Sequence, residues 1–61
     1  MYDEWIRKLA DGRLIRYTSD VEPRRGGKIT ATIDGPTKTL EVDDAPTREE
    51  VEEHFEMIGL G

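Results

Sequence analysis

Tyr2-Asp3-Glu4-Trp5-Ile6-Arg7-Lys8-Leu9-Ala10-Asp11-Gly12 is the stretch whose reading sets the number of strands in this 61-residue chain. With a helical period, Tyr2, Trp5, Ile6, Leu9 and Ala10 gather in one arc about 140° wide, and Asp3, Glu4, Arg7, Lys8 and Asp11 take the other side. Asp3 with Arg7 and Glu4 with Lys8 are then i,i+4 pairs in the favourable order, and Gly12 is a natural terminator. As a strand, the segment would pair across the hairpin signal Asp11-Gly12 with Arg13 to Thr18. That register sets Arg7 opposite Arg16, a destabilising like-charge pair, and mixes Lys8 with Ile6 and Ala10 on one face. The comparison favours a helix.

Downstream, three β-rich segments follow. Leu14 to Ser19 places Ile15 and Tyr17 on one face. Lys28 to Ile33 alternates cleanly, with Ile29, Ala31 and Ile33 inward and Lys28, Thr30 and Thr32 outward, the signature of a strand with one wet side. Asp34-Gly35-Pro36-Thr37 is turn chemistry, and Lys38 to Val42 returns as the partner of a hairpin with Leu40 and Val42 inward. Asp43-Asp44-Ala45-Pro46 then leads into a second helix. Thr47 and Glu50 form a capping-box pattern, Val51, Phe55 and Ile58 make a narrow apolar stripe, and Gly59 fits a left-handed terminator with Leu60 folding back beyond it.

These segments predict an α+β fold, a small two-layer domain over residues 1–61 with the order helix, three-stranded antiparallel meander, helix. The alternative is a four-stranded meander followed by one C-terminal helix, should residues 2–10 be extended. In the first arrangement Trp5, Ile6, Leu9, Ile29, Ile33, Leu40, Val42, Val51, Phe55 and Ile58 form the core.

The totals exclude several function classes. No cysteine is present, so there is no disulfide or thiolate site, and a single histidine with carboxylates lacking a calcium-loop spacing predicts no metal and no cofactor. No apolar run approaches the roughly 20 residues of a membrane span, and the start lacks a signal-peptide pattern. A soluble, cytoplasmic protein with no membrane partner is the expectation. Nine Lys and Arg against fourteen Asp and Glu give a net charge of −5, which disfavours general nucleic-acid binding, because that rests on neutralising phosphates. The charge is also divided along the chain: residues 1–40 hold eight cations and six acids, and residues 41–61 hold Arg48 alone against eight acids. Catalysis is not expected, since no nucleophile has a base placed beside it and so small a sheet offers little depth for a desolvating cleft.

Two features stand out as candidate surfaces. Glu49, Glu52, Glu53 and Glu56 form an acidic ridge on the second helix, with Met57 beside it as a soft contact. Such a ridge suits a basic partner, and carboxylates so spaced can also imitate phosphates. The segment Asp20 to Lys28 joins the first two of the three strands, and within it Arg24-Arg25-Gly26-Gly27-Lys28 sets three cations beside two glycines, which can cradle a phosphate or carboxylate. It is no P-loop, because the spacing and the following helix are missing. The functional expectation is a small acidic module that binds another protein, of the accessory or inhibitory kind found in phages and plasmids. The alternative is a binder of a small anionic ligand or nucleotide through Arg24, Arg25, Gly26, Gly27 and Lys28, across a homo-oligomer.

Overall fold

The computed structural model describes residues 2–58, as four strands and one helix: β1 (Tyr2–Lys8), β2 (Leu14–Glu22), β3 (Gly26–Ile33), β4 (Thr37–Val42) and α1 (Arg48–Met57). The strands form one antiparallel sheet in the order β1-β2-β3-β4, a meander in which each strand pairs with its neighbours in sequence. The arrangement is the four-stranded alternative, and the N-terminal helix predicted over residues 2–10 is replaced by β1.

The correction turns on loop length. The Leu9 N–H donates to the Arg13 carbonyl (2.8 Å), the Gly12 N–H donates to the Leu9 carbonyl (3.0 Å), and Gly12 sits at φ +95°. This is a three-residue loop with glycine at its left-handed position, not a two-residue one across Asp11-Gly12. One extra residue in the loop moves the register by one and changes every cross-strand neighbour. Arg7 now faces Ile15 and Trp5 faces Tyr17, so the Arg7–Arg16 clash that counted against a strand never forms. The Asp11 carboxylate locks the loop by accepting from the Arg13 N–H (3.0 Å) and from Arg13 Nε (2.6 Å). Against this, a helix of nine residues is too short to be stable alone, and its ion pairs would supply only a few tenths of a kcal/mol each.

The other two hairpins keep their predicted pairing, with different bounds. β2 runs on to Glu22 and β3 starts at Gly26, because Asp20, Val21 and Glu22 pair with Lys28, Gly27 and Gly26. Only Pro23-Arg24-Arg25 forms the turn, closed by the Arg25 N–H on the Glu22 carbonyl (3.1 Å). At the β3–β4 end, Asp34 and Gly35 both have positive φ (44° and 100°), as a tight two-residue hairpin requires.

Helix α1 lies on one face of the sheet. The Thr47 side chain accepts from the Glu50 N–H while the Glu50 carboxylate accepts from the Thr47 N–H (both 3.2 Å), so the capping box is present. Val51 and Phe55 are buried against Ile15, Tyr17, Val21, Ile29, Ala31 and Ile33, with Trp5, Leu9, Leu40, Val42 and Ala45 packed around them. Two residues assigned to the core lie outside it: Ile6 is 56% exposed and Ile58 is 54% exposed. Ile6 alternates to the uncovered face once the segment is extended, and Ile58 has left the regular helix as its C-cap. The terminator role read for Gly59 and Leu60 falls outside the described residues.

Candidate functional site

The helix layer and the N-terminal strand meet along a line of charge and aromatic contacts. Trp5 stacks on Tyr17 with ring centroids 5.1 Å apart, and Tyr17 meets Phe55 at 6.3 Å. The Arg48 guanidinium lies 5.0 Å from the centre of the Trp5 ring and grips the Asp3 carboxylate with two bonds of 2.7 Å. One turn further along the helix, Glu52 reaches Arg7 at 3.5 Å. Two ion pairs therefore tie the same side of α1 to β1. The Arg48 guanidinium holds the Asp3 carboxyl below the usual carboxylate range, chiefly by hydrogen bonding.

That pairing redistributes the predicted ridge. Glu52 is half-buried against Arg7 and leaves the outer face, while Glu49, Glu53 and Glu56 stay exposed and make no ion pair among the described residues. Met57 stands beside them, 77% exposed. The outer side of α1 is thus an acidic strip with one flexible thioether at its end, on a helix held by its cap, its buried stripe and its β1 ties.

The predicted anion loop has a different character. Gly26 and Gly27 belong to β3, and each meets backbone where a side chain would start: a Cβ on Gly26 would lie 1.9 Å from the Val42 carbonyl oxygen, and one on Gly27 would lie 2.2 Å from that of Asp20. Their small size serves the close approach of strands. The Arg24 N–H, at a positive φ of 68°, already donates to the Asp44 carboxylate (2.7 Å), which also accepts from the Ala45 N–H (2.8 Å). These two bonds lower the Asp44 carboxyl below its ordinary range. The loop does cradle a carboxylate, and it is the protein's own. Of its cations, Arg25 leans towards Glu22 (3.8 Å) and Lys28 lies between Asp20 and Glu41 in the sheet register.

No protein-family model, curated protein or solved structure matches the chain.

Two hollows flank the helix. Tyr2, Asp3, Trp5, Ser19, Val21, Ala45, Pro46 and Arg48 line a cleft of about 240 Å³ on the β1 side. On the other side, Ile29, Val42, Asp44, Ala45, Pro46, Glu50 and His54 line a wider hollow of about 480 Å³. The first was not foreseen, because the helical reading of residues 2–10 separates Asp3 from Trp5. The signal that reveals it is Gly12 itself, read as the last residue of a three-residue loop. Trp5 Nε1, Arg7 Nε and Tyr17 Oη are buried without hydrogen-bond partners among the described residues. Burial raises the Tyr17 phenol above its ordinary value; the Arg7 guanidinium, 5.9 Å from the ring centre, pulls the other way without completing a bond. Among the described residues, no group of three or more metal-ligating side chains occurs and no helix is long and apolar enough to cross a membrane.

Proposed function

We propose that the chain is a protein-interaction module that presents the outer face of α1 to a basic surface on another protein. The observation that carries this reading is the exposed strip Glu49, Glu53 and Glu56, without ion pairs among the described residues, with Met57 at its end. The carboxylates supply long-range attraction and orientation, which act on the rate and specificity of encounter, and Met57 supplies adaptable apolar contact. Because the helix is capped and tied at both Arg48 and Glu52, little order has to be gained on binding. An accessory or inhibitory role, in which a small protein occupies the working surface of a larger one, fits this design.

The test is affinity capture with the triple charge reversal Glu49→Lys/Glu53→Lys/Glu56→Lys, which leaves Glu52 and its Arg7 tie alone. A control reverses Glu22 and Glu41 on the opposite face of the sheet. A partner retained by the native chain and the control, released by salt and lost from the triple variant supports the reading. Equal capture by all three, with unchanged circular dichroism, removes the helix face from the function.

A further inference from the structure

Among the described residues, β1 lies at one edge of the sheet and is paired on one side only. The bond from Leu9 to Arg13 fixes the alternation, so that Arg7 and Trp5 exchange backbone bonds with Ile15 and Tyr17, while Glu4, Ile6 and Lys8 direct their backbone groups to the free edge, where the Glu4 N–H already donates to Asp3 Oδ1 (3.0 Å). The side chains of these same three residues stand on the uncovered face of the sheet. Ile6 is 56% exposed there, and its diagonal neighbour Leu14 on β2 is 56% exposed as well. Glu4 and Lys8 lie opposite Thr18 and Leu14, and neither has an ion-pair partner among the described residues.

The order acid, apolar, base along one edge is self-complementary when the strand is reversed. We propose that two copies of the chain associate by antiparallel pairing of β1 with β1 about a two-fold axis through Ile6, giving one continuous eight-stranded sheet. In this register Ile6 faces Ile6 of the second copy, and Glu4 faces Lys8 on both sides of the axis. Leu14, Ile6 and their two copies then run as one apolar strip across the open face, and the free backbone groups of Ile6 and Lys8 and the Glu4 carbonyl find partners, while the Glu4 N–H keeps its bond to Asp3 Oδ1. A two-fold axis perpendicular to the sheet keeps both helices on the same side. The other edge does not share this property. Reversed about Thr39, β4 sets Lys38 against Leu40 and Glu41 against Thr37, leaving both charges unmatched. The inference is independent of the role of the acidic helix face, since none of Glu49, Glu53, Glu56 or Met57 takes part.

The ladder is short, so the interface belongs to the class under about 1,200 Å² of total buried surface and dissociates in the micromolar range. Sedimentation equilibrium over a concentration series reads it directly. The native chain is expected to show a monomer–dimer equilibrium, and Ile6→Lys, which sets two ammonium groups against each other at the axis, to weaken it by roughly tenfold or more. Charge exchange gives a sharper reading that does not depend on Ile6. Glu4→Lys alone and Lys8→Glu alone each oppose like charges twice and should both be weakened, whereas an equimolar mixture of the two should recover dimer as a heterodimer. A native chain that stays monomeric overturns the proposal, as does a dimer indifferent to these substitutions. Open-ended growth to larger species overturns the closed two-fold arrangement and indicates pairing of β1 with β4 instead.

Discussion

Gly26 shows how much of the sheet depends on single atoms. Its missing side chain leaves room for the Val42 carbonyl, so Gly26→Ala should cost at least about 3 kcal/mol in urea unfolding. Gly35 has a positive φ with open space around it, and Gly35→Ala should cost only about 1–2 kcal/mol. Tyr17 carries the opposite lesson. Its hydroxyl is buried without a partner among the described residues, so Tyr17→Phe should be neutral or stabilise by up to about 1 kcal/mol. Its raised phenol pKa also fixes a sign: the folded state holds the proton more tightly than the unfolded one. That contribution is complete below the ordinary tyrosine value of about 10 and fades as pH rises through the folded value. Native stability, followed by circular dichroism, should therefore fall at alkaline pH more steeply than that of Tyr17→Phe. Asp3, Asp11 and Asp44 behave in reverse, since all three are lowered in the folded chain. Their stabilisation is present above the ordinary aspartate value of about 3.9 and disappears as pH falls through the folded values, so thermal melts should weaken below about pH 4. Asp3→Asn should flatten part of that acid limb.

The elements differ in how openly their residues announce them. Thr47 with Glu50 marks the start of α1, and Asp34-Gly35 marks the β3–β4 hairpin, because each feature is a local hydrogen-bond or dihedral requirement met by its own residues. Thr47→Ala should accordingly cost about 1 kcal/mol, and Phe55→Ala about 3–5 kcal/mol, in the same urea titration. β1 is different. Its apolar residues fit a helical arc better than an alternating strand, and what overrides them lies outside the segment: the three-residue loop ending at Gly12 sets the register, and Tyr17, twelve residues from Trp5, offers it a stacking partner. Nothing inside Tyr2–Lys8 carries that information. The candidate surfaces divide in the same way. Glu49, Glu53, Glu56 and Met57 are legible from the helical period alone, whereas Glu52 leaves the strip only because Arg7 stands beneath it. The occupation of the Arg24 amide by Asp44, twenty residues on, is likewise a fact of tertiary structure.

For the molecule as a whole, the meander has a kinetic meaning. Each strand bonds to the strand beside it in sequence, so the sheet requires only short loops to close, and chains with such local topology fold quickly. Helix α1 attaches differently: its grip on β1 joins Arg48 to Asp3 across 45 positions of sequence. The sheet can thus assemble before the helix arrives, with Tyr17, Ile15 and Ile29 still wet on the side that α1 will cover. Substitutions in the three hairpins should slow refolding, whereas Arg48→Ala should act mainly by speeding unfolding, a contrast that stopped-flow fluorescence of Trp5 can read. On a ribosome releasing the chain from its N-terminus, the strands emerge first and the helix last. The interval between them is when this small protein is most exposed to the wrong company.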